Sequence, residues 1–140
     1  MYINDTFIRV RYAETDQMGI VHHSNYYVWF ELARDEFVES LDLSYKQLES
    51  DGLFMPLVET NCKYISPALY SERLRISTYI KELTPVKIIF GYDVFKEGAK
   101  RPIAKGTTIQ AFVDSNFHII NLKKKYPELF EKFNPMLDVK

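Results

Sequence analysis

The sequence predicts an α+β fold in which one long apolar helix is covered by an antiparallel sheet, and three observations carry that prediction. Tyr26, Trp29, Phe30, Ala33, Phe37 and Leu41 recur at threes and fours, which makes a broad apolar helical stripe. From Leu57 to Val113 the texture changes to period two over successive segments. The order of strand, long helix, short helix and then strands is that of an α+β fold, not of alternating βαβ units. A helix with so much apolar surface needs a cover, and a curved sheet wrapped around it is the economical one.

Taken in order, Thr6–Tyr12 reads as the first strand, with Ile8, Val10 and Tyr12 on one face and Phe7, Arg9 and Arg11 on the other. An acidic turn follows over Ala13–Gly19, and the long helix runs from near His22 to Leu41. Ser24 and Asn25 are the preferred N-cap types for it. Ser44 with Gln47 is a capping-box pattern that opens a short helix, Ser44–Ser50, and Gly52 suits its exit. Strands are expected over Leu57–Ile65, Leu74–Ile80, Val86–Phe95 and Ile103–Val113, with a hairpin tip at Glu97–Lys100. Ser66-Pro67 and Thr84-Pro85 punctuate them, because proline has no ladder donor. Phe117–Asn121 is expected to add a short strand, and Pro127 to start a terminal helix through Phe133.

The chain of 140 residues reads as one domain, 1–140, without repeats, low-complexity segments or a linker. With 46% hydrophobic and 15% aromatic residues it can build a core. Its 18 basic against 19 acidic residues argue against a nucleic-acid binder that works by general electrostatics. The single cysteine, Cys62, agrees with a reducing compartment. Charges at Asp5, Arg9, Arg11, Glu14 and Asp16 interrupt any export signal, and no apolar run approaches the ~20 residues of a membrane span. A cytoplasmic location is therefore expected.

The chemistry is expected between strand and helix, where Asp16, Gly19, His22 and His23 meet a helix N-terminus with its unpaired N–H groups. Asp16 in Thr-Asp-Gln-Met-Gly suits either a turn or a carboxylate base or nucleophile. His22 and His23, as neighbours on a helix, should point about a hundred degrees apart, which disfavours a shared metal; no metal and no cofactor are expected. Cys62 sits in an apolar strand context and reads as a small buried hydrophobe. The Lys123-Lys124-Lys125 run reads as solvated surface, and no nucleophile elbow or glycine-rich phosphate loop occurs.

Tyr12-x3-Asp16-x2-Gly19-x3-His23-x2-Tyr26, followed by a helix with Glu31, Ala33 and Arg34, resembles the hotdog-fold acyl-CoA thioesterases. The likeness is to the 4-hydroxybenzoyl-CoA thioesterase family, including its Tol–Pal-associated short-chain branch. Tyr64-Ile65-Ser66-Pro67-Ala68, then Glu72-x-Leu74-x-Ile76, looks like the family's next block, so the resemblance spans about residues 5–115. It implies a helix wrapped by five or six antiparallel strands, a homodimer or homotetramer, and sites shared between protomers. It also implies an acyl-CoA substrate, with an acyl-carrier protein as another possible carrier. By the same resemblance Asp16 is the catalytic carboxylate, the His23 backbone N–H polarises the thioester carbonyl, and the His23 side chain and Tyr12 belong to the site. Gly19, Val21, His22 and Tyr26 are expected to hold substrate. A cap at Ser24 or Asn25 would leave the His23 amide at the very edge of the helix. The alternatives are a hotdog dehydratase, which would pair a His with a carboxylate, and a non-catalytic acyl-carrier binder, which would not need Asp16.

Overall fold

In the computed structural model, which describes residues 1–137, the helical stripe and the period-two segments meet face to face. The last three positions of the expected 1–140 domain lie outside the described residues. The strands are β1 (Asn4–Arg9), β2 (Leu57–Tyr64), β3 (Arg73–Leu83), β4 (Lys87–Lys96) and β5 (Ala104–Ala111). The helices are α1 (Ser24–Glu39), α2 (Tyr45–Ser50), α3 (Leu122–Lys125) and α4 (Pro127–Phe133). All strand pairs are antiparallel, in the order β1-β3-β4-β5-β2, so the sheet has five strands with β1 and β2 at its edges.

Tyr26, Trp29, Phe30, Ala33 and Phe37 of α1 are buried, as the stripe predicts. They pack on the inner residues of β3 (Leu74, Ile76, Thr78, Ile80) and β4 (Ile88, Phe90, Tyr92, Val94), all buried. Full burial of one such apolar side chain contributes about 1.5–3 kcal/mol, so this contact dominates stability. Its centre is the stack of Phe30 on Tyr92, with centroids 4.3 Å apart. Phe30 fits there because Gly106 of β5 has no Cβ, which would overlap the Phe30 ring. The helix also buries Arg34, whose Nη1 donates to the Tyr92 hydroxyl at 3.2 Å; that hydroxyl pairs with Thr108 Oγ1 at 2.6 Å.

Several local expectations are corrected. β1 ends at Arg9, and Tyr12 opens a 3₁₀ turn, Tyr12–Glu14, instead of closing the strand. The cause is Glu14, whose carboxylate accepts the Arg11 N–H at 2.7 Å and curls the chain. Tyr12 is consequently 76% exposed, not on the inner face with Val10. The N-cap of α1 is His23, which makes no side-chain cap bond; Ser24 and Asn25 lie inside the first turn. Asn25 is instead drawn sideways, donating to the Glu14 carbonyl at 2.8 Å. α1 ends at Glu39, two residues short of Leu41.

Ser44 does cap α2, but Gln47 bonds Asp51 rather than returning to the cap, so only half the box forms. β3 runs on past Ile80 through a bulge to Leu83, whereas Val86 stays outside β4. Phe117–Asn121 forms no strand: Phe117 has φ +62°, and the segment offers only the isolated bridge of Ile119 to Val113. α3, which the sequence reading does not anticipate, fits in before the expected α4; its lysines are exposed.

Candidate active site

The site is built where the chain leaves β1 and turns back into α1. Val10 is pinned to the segment before β3, its N–H donating to Glu72 O at 2.9 Å and its carbonyl accepting from Ser71 N–H at 3.0 Å. Glu14 is then the hub. The residue is 5% exposed, and its side chain accepts from the Arg11 N–H, from Trp29 Nε1 at 2.8 Å and from the Arg11 guanidinium at 3.3 Å. Its carbonyl accepts from His22 N–H at 2.9 Å. Burial pushes the Glu14 carboxyl up, but the bonds from Arg11 and Trp29 together outweigh it, and the group lies below the usual glutamate range. Glu14 thus ties the loop to the first two turns of α1, through its carbonyl at His22 and Asn25 and through its carboxylate at Trp29.

Between Thr15 and Val21, which pair as an antiparallel bridge, the chain makes a tight turn. Asp16 N–H donates to Ile20 O at 2.8 Å and Gly19 N–H to Asp16 O at 2.9 Å, with Gly19 at φ +83°, a conformation that favours glycine. Asp16 Oδ1 accepts from Met18 N–H at 2.9 Å. Oδ1 therefore shapes the turn, and Oδ2 accepts no hydrogen bond among the described residues.

The turn is fixed against the segment before β3, because Val21 N–H donates to Ala68 O at 2.9 Å and Ile20 bridges Leu69. α1 then begins at His23, whose N–H makes no hydrogen bond among the described residues, while Tyr64 donates its hydroxyl to the His23 carbonyl at 3.3 Å. That leaves an unpaired N–H at the positive end of the helix dipole.

A groove of about 320 Å³ opens here. Asp16, Met18, Val21, His23 and Tyr26 line one side and Tyr64–Pro67 the other. Tyr26 packs edge-on to Tyr64 at 5.2 Å, and burial pushes its hydroxyl up to about 12. The Tyr64 hydroxyl is also pushed up, by desolvation first and then by the neighbouring Tyr27 hydroxyl, so both tyrosines remain donors over the ordinary pH range. Cys62 is only half-buried, less so than a small buried hydrophobe; its thiol is pushed up to about 11 by burial and is a poor nucleophile.

Of the residues singled out in the sequence, Asp16, Val21, His23 and Tyr26 line the groove and Tyr12, Gly19 and His22 do not. Tyr12 sits edge-on to Tyr70 at 5.6 Å. Gly19 shapes the turn. The His22 ring does not diverge from His23, because both precede the regular helix: the rings lie 4.1 Å apart and tilted 31°, and His22 Nδ1 pairs with Ser24 Oγ at 2.8 Å. Sequence reasoning assigned no site role to Glu14 or Tyr64. Glu14 had no readable signal, since its partner Trp29 is fifteen residues away, whereas Tyr64 lay inside the second matching block.

A five-stranded antiparallel sheet around one long helix, with a largely apolar groove at the helix N-terminus into which Asp16 and His23 are set, defines the hotdog class. DHNA-CoA thioesterase from Staphylococcus aureus superposes with a TM-score of 0.90 and 29% identity, covering 96% of this chain and 91% of that one. The putative acyl-CoA thioesterase YneP of Bacillus subtilis is 36% identical over 129 residues, 91% of this chain and 93% of YneP. The acyl-CoA thioester hydrolase YbgC of Escherichia coli O157:H7 is 28% identical over 83 residues, 59% of this chain and 62% of YbgC. The profile of the thioesterase-like superfamily matches residues 10–135, and the chain belongs to that superfamily; it is a thioester hydrolase.

Proposed function

We propose that this enzyme hydrolyses the thioester of a short-chain or aromatic acyl-coenzyme A to the free acid and coenzyme A, with Asp16 as base or nucleophile. The observation that carries the proposal is that Asp16, with one carboxylate oxygen unengaged, lines the same groove as His23, whose unpaired backbone N–H heads α1. In one route Asp16 takes a proton from water, the water oxygen bonds the acyl carbon, and the C–S bond breaks. In the other, Asp16 attacks the acyl carbon, the C–S bond breaks and the thiolate leaves, and water opens the resulting anhydride to the free acid and the Asp16 carboxylate. In both, the His23 N–H holds the developing oxyanion. The leaving thiol has a pKa near ~8.5, so little general-acid help is needed.

Val21 and Tyr26 border the acyl group, with Gly19 acting through the turn and His22 through its contact with His23. Tyr12 lies outside the groove, so membership of the Tol–Pal-associated branch rests on the His23 side chain. The aromatic acyl reading is supported by the DHNA-CoA thioesterase of S. aureus. The test is free-thiol release from a panel of acyl-CoA and acyl-carrier-protein thioesters. Turnover of short or aromatic acyl-CoA is expected; tight binding without thiol release would make the chain a carrier binder.

The working form is proposed to be a homodimer or a dimer of dimers in the cytoplasm. Leu57, Val58 and Tyr64 leave the β2 edge exposed and partly apolar, and the groove runs beside it. A second copy along β2 would cover that edge and narrow the groove. Light scattering should give at least twice the 16.5 kDa chain mass, and a fully active monomer would overturn a shared site.

A further inference from the structure

Away from the groove, the outer face of β1, β3 and β4 forms a concavity of about 840 Å³. Arg9, Arg73, Arg75 and Lys100 line it against only two carboxylates, Asp5 and Glu97. Asp5 is already engaged, accepting from Ser77 Oγ at 2.6 Å. None of the four cations forms a salt bridge among the described residues. Arg9 and Arg73 stand directly opposite each other across β1 and β3, an arrangement that costs stability. In the next register, Phe7 faces Arg75 and Arg75 faces Phe95, whose ring carries the guanidinium 4.5 Å from its centroid. Phe7 is 71% exposed. Two facing arginines suit the forked recognition of phosphate oxygens, and the neighbouring aromatic-arginine-aromatic row offers a stacking surface for a planar base.

We propose that this concavity binds the phosphorylated purine end of the coenzyme A thioester whose acyl end enters the Asp16 groove. The inference rests on the proposed function. Position supports it. The concavity and the groove lie at the same end of the sheet, joined by the segment Leu69–Arg73, because Ile20 of the groove bridges Leu69. Leu69 and Arg73 are separated by at most about 14 Å of extended chain, which a pantetheine arm can span. A free nucleotide would present the same chemistry, so the test separates the two sources.

The experiment compares the parent with Arg9→Gln/Arg73→Gln, both positions being exposed and relieved of like-charge repulsion by the change. Thermal melting should be unchanged or raised. KM for acyl-CoA should rise about 10- to 100-fold, the scale of lost charge-assisted bonds, with kcat nearly kept. The same acyl group on pantetheine, which has no nucleotide, should be turned over equally by both proteins. Adenosine 3′,5′-bisphosphate should bind the parent in calorimetry, compete with acyl-CoA and fail to bind the variant. Equal loss on both thioesters, no loss on acyl-CoA, or loss confined to acyl-carrier-protein substrates would overturn the proposal. Bisphosphate binding without competition would also overturn it, by making the concavity a separate nucleotide site. If no thioester is hydrolysed, the proposed function falls, and the calorimetric arm alone decides whether the concavity takes a nucleotide.

Discussion

The start and the middle of α1 are held by different forces. The middle is held chiefly by shape: Phe30 lies flat on Tyr92 and reaches over Gly106, and the polar groups in the contact bond one another, the Tyr92 hydroxyl pairing with both Arg34 and Thr108. The start is held by hydrogen bonds that converge on Glu14, while His23 N–H and Asp16 Oδ2 beside it stay unengaged among the described residues. Packing thus supports stability, and a satisfied polar hub supports a pair of groups, those of the proposed chemistry, that have no hydrogen-bond partner among the described residues. Changes in the two regions should fail in different ways.

The largest expected effect is on turnover alone. Asp16→Asn keeps the acceptor for Met18 N–H, so the turn and the melting temperature should persist, while hydrolysis falls by at least ~10²-fold. Near-normal turnover in a folded variant would remove Asp16 from the chemistry. In the packed middle, Gly106→Ala should act on stability instead, because its Cβ would overlap Phe30; overpacking costs about 1–3 kcal/mol, readable in a urea midpoint. An unchanged midpoint would mean that Phe30 can move aside and the contrast between the two regions is overstated.

Glu14→Gln tests the hub and should cost about 1–3 kcal/mol. Its effect has a sign in pH. The folded Glu14 carboxyl lies below its ordinary 4.5, so its contribution is present above that value and is lost as pH falls through the lowered one. The parent should therefore lose melting temperature more steeply than Glu14→Gln on acidification below pH 4.5. Parallel acid profiles would show that the hub does not act through its charge. The smallest effect is expected from His23→Ala, which keeps the backbone N–H. Turnover should stay well above the ~10²–10³-fold loss caused by removing an oxyanion donor. If His23→Ala is instead as inactive as Asp16→Ala while folding normally, the site is a His–Asp pair and the dehydratase reading gains.

The fold class was legible because periodicity is local: threes and fours in α1, twos in β3 and β4, and a capping serine before α2 each report on a few neighbouring residues. Asp16 and Gly19 were legible for the same reason, since a turn needs its residues in sequence. Tertiary structure decided what depended on distant partners. Tyr12 alternates correctly with Val10 and still leaves the strand, because Glu14, packed against Trp29, takes the Arg11 N–H. Ser24 and Asn25 are good cap types, yet His23 takes the cap, because Asn25 is drawn to the Glu14 carbonyl. That choice leaves the His23 amide unpaired at the helix end. Sequence determined which residues could form helix, strand and turn; one buried glutamate, its carboxylate held by Trp29 and Arg11 and its carbonyl by Asn25, decided where the first strand stops and which amide the helix leaves open.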